Sequence, residues 1–203
     1  MRGVQNTRPL TAAEEQIAQS VFGNTIPYGQ VLVSDGLGRN DRPFTVPSAV
    51  PMNVPFVPNF NVNGGKYVMH VGDGYNGLSQ RKEDQCLLIH ELTHVWQGEH
   101  HAFWSWAYMI YSLKDQLLMG DAYQYDRTQL KPWNDYGAEQ QAQIVEDWYA
   151  DGLQIFDPVT GTGDRRFYYI KKHIRGEQVV GDWMGLATPP SPSPQMLSPS
   201  VCT

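Results

Sequence analysis

His90-Glu91-Leu92-Thr93-His94 sets two imidazoles four residues apart with a carboxylate between them. On a helix, residues four apart share a face, so both rings can point at one metal ion. Glu91 stands beside them, within reach of a proton on a water held at that metal. The apolar run Cys86-Leu87-Leu88-Ile89 leads into the motif and Val95-Trp96 follows it, flanks that bury the helix and keep the site dry. This spacing predicts metal-assisted hydrolysis, with Zn²⁺ as cofactor, His90 and His94 as ligands and Glu91 as general base. A half-buried helix with two merely hydrogen-bonded histidines is the plainer alternative, and the helical context on both sides speaks against it.

A catalytic zinc site uses three protein groups and one water, so two imidazoles leave it one ligand short. His100 lies ten residues after His90 and matches the outer spacing of HExxHxxGxxH. That longer motif needs glycine at position 97 to break the helix, yet position 97 is Gln and the glycine is Gly98. His100 and His101 read more simply as exposed residues at a helix end, where cations are favoured. Glu139 opens a separate segment, Glu139-Gln140-Gln141-Ala142-Gln143-Ile144-Val145-Glu146-Asp147-Trp148-Tyr149, with one acidic and amide face and one apolar face. Packed on the motif helix, its first turn could aim a carboxylate at the metal. Glu146 shares that face seven residues on. The missing-ligand argument favours Glu139 and keeps Glu146 behind it.

These groups need elements to hold them. Thr11-Ala12-Ala13-Glu14 is a capping box, and Ile17, Val21 and Phe22 follow at helical spacing before Gly23, predicting a helix of about ten residues. Gln30 to Val33 reads as a strand. From Gly36 to Asn63 the chain is rich in Gly, Pro and Asn and is expected to form an irregular covering loop. Lys66 to Val71 reads as a second strand, and as the edge on which an extended substrate would pair. The motif helix is expected from Gln80 to Gln97, ended by Gly98. Further helices are expected at Ala102–Met119, Ala138–Leu153 and Arg165–Arg175, with a loop around Asp157-Pro158. The fold class is therefore α+β, mostly helical with a small sheet beside the active-site helix. One domain over residues 1–186 precedes a Pro/Ser-rich tail, 187–203, that cannot bury apolar area.

The 203 residues suffice for one domain with a sizeable core. A net charge of −6 with no Lys/Arg stripe excludes nucleic acid as a partner. No apolar run approaches the roughly 18 residues of a membrane span. Met1 to Arg8 has no apolar stretch after its arginines, so it is not a secretory signal. That fits a cytosolic protein, a domain of a longer polypeptide, or cargo of a machine that reads no signal peptide. The two cysteines, Cys86 and Cys202, have no metal-site spacing, and a disulfide framework is not expected.

Phe22-Gly23, the block HELTHVWQ with its leading Leu88-Ile89, and the block EQQAQIV from Glu139 resemble a group of bacterial zincin-like metallopeptidase toxins. These form the C-terminal domains of type VI secretion spike (VgrG-type) proteins, and related domains accompany Rhs and contractile-injection systems. The resemblance covers roughly residues 9 to 176, and two joint blocks are far more specific than HExxH alone. It implies a zincin fold, whose order is a strand, an HExxH helix and further helices. It implies His90, His94 and Glu139 as zinc ligands and Glu91 as the catalytic residue. It further implies an antibacterial effector acting on protein or peptide substrates in the target cell's periplasm, with a cognate immunity protein and a secretion-spike component as partners. The chain departs from the spike-fused arrangement in opening on Met1 without a spike module, and its Pro/Ser tail is not part of the pattern.

Two rivals stand beside a gluzincin-type endopeptidase. One is a metal hydrolase of cell-wall amide bonds; the other is a catalytically inactive zincin used as a binding module, which would need a defect at Glu91 that the sequence does not show. Oxyanion stabilisation needs a further donor, for which Tyr123, Tyr125, Tyr168 and His173 are candidates, none singled out.

Overall fold

The computed structural model describes residues 6–38, 41–48, 66–100 and 123–179. The helix expected at 102–119, the tail at 187–203 with its domain boundary, Cys202, His101 and residues 49–63 of the expected loop lie outside these.

Local chemistry sets the first helix. Thr11 Oγ1 accepts from the Glu14 N–H at 3.3 Å and Glu14 Oε2 accepts from the Thr11 N–H at 2.8 Å. That reciprocal cap starts helix α1, Ala12–Phe22, which Gly23 ends in a left-handed conformation at φ 57°. Glu14 also takes a two-pronged ion pair from Arg8 at 2.7 Å, tying strand β1, Thr7–Pro9, to the helix. A 3-10 turn at Tyr28–Gln30 leads into β2, Val31–Ser34.

Two further strands complete a mixed sheet: β3, Phe44–Pro47, and β4, Tyr67–His70. The order is β1-β2-β4-β3, with β2 and β4 parallel and the outer pairings antiparallel. Two expectations are corrected here. The Pro- and Gly-rich stretch from Gly36 contains β3, because Pro47 falls at the end of a terminal strand, where a missing N–H costs least. Lys66 to Val71 is not an edge, since β4 is paired on both sides and buried along its length.

After 3-10 turns at Gly72–Asn76, helix α2 runs over Lys82–His100 and packs against β3, β4, α1 and helix α3, Ala138–Ala150. Every residue from Leu88 to Gln97 is buried, the state of a helix covered on all sides. Gly98 was expected to stop α2, but the helix continues through it. The reason for the glycine is proximity: a Cβ at Gly98 would stand 2.7 Å from the Tyr67 ring.

The chain closes with a short hairpin, β5 Phe156–Asp157 and β6 Thr162–Gly163, where a loop was expected. Helix α4, Phe167–Tyr169, then widens into π-type turns over Ile170–Ile174 within the span expected as one helix. Trp96 Nε1 donates to the Ile174 carbonyl at 3.0 Å, and Arg175 donates to the Val21 and Ser20 carbonyls at the end of α1. Cys86 is disulfide-bonded, with its partner outside the described residues. Among the described residues, no helix is long and apolar enough to cross a membrane.

Candidate metal centre

The 3.6-residue repeat of α2 puts His90 and His94 on one face, their ring centroids 5.1 Å apart. The first turn of α3 brings Glu139 between them: its Oε2 lies 3.3 Å from His90 Nε2 and its Oε1 3.5 Å from His94 Nε2. All three residues are buried, and one ligand atom from each lies within 4.8 Å of the others. Ligand atoms about 2.0–2.1 Å from a tetrahedral zinc stand roughly 3.3–3.4 Å from one another. The His–Glu separations are of that size, each to a different oxygen of Glu139, and the three residues could hold a metal ion. Glu146 is not part of the group; its Oε2 accepts from His90 Nδ1 at 2.8 Å, on the far side of the ring. His100 is also excluded, because its ring stacks on Trp96 at 4.7 Å and Nδ1 donates to the Trp96 carbonyl at 2.9 Å.

Charge agrees with this geometry. Burial disfavours a protonated His90, yet Glu139 and Glu146 overcome it and raise the imidazole well above its ordinary value. His94 is raised in the same contest, chiefly by Glu139. Burial works to raise the Glu139 carboxyl, and His94 and His90 hold it well below its usual range. These opposite shifts share one cause, the mutual attraction of the two imidazoles and the buried carboxylates against them.

Glu91 is 3 % exposed, and its Oε2 accepts from Thr45 Oγ1 at 2.7 Å. Burial raises its carboxyl against the pull of His94, His90 and Thr45. Strand β3 supplies Thr45, so the sheet fixes the carboxylate that the helix presents. Of the four residues weighed as oxyanion donors, Tyr123 alone has its ring beside the site, 5.8 Å from that of His90. Tyr125 donates to Asp147, Tyr168 accepts from Lys172 and His173 stacks on Trp133 at 5.6 Å. Sequence reasoning missed Thr45, Gln97 and Gln141. Gln97 carried a signal, since a residue three beyond His94 shares its face; it accepts from His94 Nδ1 at 2.8 Å.

The fold and the site define a mixed α/β protein with a buried His-His-Glu group able to hold a metal ion. By sequence the chain belongs to the family of the VgrG2b effector domain: it is 30% identical to the solved Pseudomonas aeruginosa domain, over 72% of this chain and 76% of that one. The TM-score between the two structures is 0.45. The type VI secretion system spike protein VgrG2b of Pseudomonas aeruginosa is 33% identical over 146 residues, 71% of this chain. The match spans 13% of that spike protein's length. No family model matches the chain.

Proposed function

We propose that this protein is a zinc-dependent metallopeptidase of zincin type, and a type VI secretion effector that hydrolyses peptide bonds in the periplasm of a target bacterium. One observation carries the reading: His90, His94 and Glu139 are buried together, each offering a ligand atom within 4.8 Å of the others, with Glu91 held by Thr45. When bound, zinc would supply Lewis acidity to a water and to the scissile carbonyl. The residues do the rest. His90 and His94 present neutral ring nitrogens and Glu139 a carboxylate, leaving the loaded site net positive. Glu91 takes the proton from the attacking water and passes it to the departing amine. The buried wall of α2 excludes bulk water, so each charge acts at short range in a low dielectric.

The relationship to VgrG2b, whose name describes a type VI spike protein, supports delivery by that machine, and the periplasmic destination is part of the proposal. The disulfide at Cys86 supports an oxidising destination, because such bonds persist in the bacterial periplasm and are rare in cytosol. A cognate immunity protein and a spike component belong to the same proposal.

The test joins chemistry to place. Glu91→Gln should retain one zinc per chain and lower casein cleavage by at least about 100-fold, the size expected of a lost general base. Toxicity should appear when the chain carries an export signal and vanish in the same variant. Cleavage of purified peptidoglycan but not of casein would move the substrate to cell-wall amides. A fully active Glu91→Gln would remove the mechanism.

A further inference from the structure

Gln97 and Gln141, one from each sequence block, form a chain of amides that ends on His94. We propose that they are positioning residues: together they fix His94 as its Nδ1–H tautomer and so aim an unprotonated Nε2 at Glu139 before any ion arrives. The inference rests on the zinc reading for its purpose, and on hydrogen-bond direction alone for its content.

The direction can be read from the far end. Backbone carbonyls only accept, so the Gln141 group bonded to Trp133 O at 3.1 Å and Tyr136 O at 3.4 Å must be its NH₂. That leaves Gln141 Oε1 to accept from Gln97 Nε2 at 3.0 Å. The same Gln97 nitrogen donates to the Ala138 carbonyl at 3.0 Å, a second acceptor that forbids the reversed amide. Gln97 Oε1 is therefore turned to His94, 2.8 Å from Nδ1, and being an acceptor it requires a proton there. In the neutral ring the proton is then absent from Nε2, the nitrogen 3.5 Å from Glu139 Oε1. Both glutamines are 1 % exposed, so water does not offer an alternative partner.

His90 is served differently, by the Glu146 carboxylate at 2.8 Å. A carboxylate would hold a proton on Nδ1 even as the ring's charge varies, whereas an amide adds direction without charge. The loop at Trp133–Tyr136 thus reports to the metal face through two side chains, and neither motif block is complete without the other.

The test uses the full chain. On chelator-stripped wild type at alkaline pH, where the ring is neutral, nitrogen-15 correlation spectra should show His94 as the Nδ1–H form. Gln97→Met should convert it to a mixture and lower zinc affinity about 10–100-fold in chelator competition. Gln141→Met should act in the same direction more weakly, and the double variant should fall no further than Gln97→Met alone. Gln97→Glu, which still accepts from Nδ1, should keep the tautomer. An Nε2–H wild-type ring, or additive losses in the double variant, would overturn the relay. If wild type binds no zinc while His94 is the Nδ1–H form, the relay stands and the zinc reading falls. Should Gln97→Met not fold, the wild-type spectrum still decides.

Discussion

Both ring nitrogens of His90 are occupied, Nε2 facing Glu139 and Nδ1 accepted by Glu146, so two acids that share one face of α3 have separate tasks. That division sets a ranking. Glu139→Ala should lower zinc affinity most, because the site loses its anionic ligand atom. Glu146→Ala should cost about 10–100-fold, the usual effect of removing a ligand's outer partner. His100→Ala should leave affinity unchanged, since its ring is committed to Trp96. Chelator competition on the three variants gives the order, and loss of zinc from His100→Ala would replace the ligand set. That the histidine pair and Glu139 could come together was legible because spacing and ligand count are sequence properties. The work of Gln97 was hidden, since position 97 was read only for the glycine it lacks. Thr45 left no mark at all: its role depends on a strand pairing that brings it 46 residues across the chain to Glu91.

Helix α2 is positioned by close approach as much as by its apolar residues. Tyr67 on β4 lies against Gly98 and donates to Glu99 Oε1 at 2.6 Å. In an open helix, replacing glycine with alanine would stabilise by about 1 kcal/mol. Here the new methyl meets a ring that is 3 % exposed and held by its hydroxyl, so Gly98→Ala should destabilise by about 1–3 kcal/mol. The sign is read from the urea midpoint; a gain in stability would mean that the ring yields freely. The same contact explains why the end of α2 was misplaced: glycine usually ends a helix, and only the neighbouring strand shows its other use. Capping chemistry, by contrast, made α1 legible to within a residue or two, because Thr11, Glu14 and Gly23 act on their own neighbours. The interior place of β4 was not legible, as its partner β3 hides in a proline-rich stretch.

Across the whole molecule, protons bear on folding through a histidine outside the metal face. Burial pushes the His70 imidazole down to about 4, against the pull of Asp35, while its ring stacks on Phe44 at 4.3 Å. The unfolded ring titrates near 6.5, so between about 6.5 and 4 the unfolded chain binds the extra proton. Stability from this group is complete above that window and is lost as pH falls through it, at up to about 1.4 kcal/mol per pH unit. Wild type should therefore lose stability relative to His70→Phe on acidification, read from unfolding curves across this window; a difference independent of pH would show that His70 titrates normally in the fold. One more consequence follows from where the ligands sit. Glu139 is 49 residues beyond His90, and Glu146 is 56. Synthesis runs from the N-terminus, so a growing chain carries both histidines well before it carries their acids. Until α3 has left the ribosome and docked, the ring pair has neither Glu139 on one side nor Glu146 on the other, so the His-His-Glu group forms only late in synthesis.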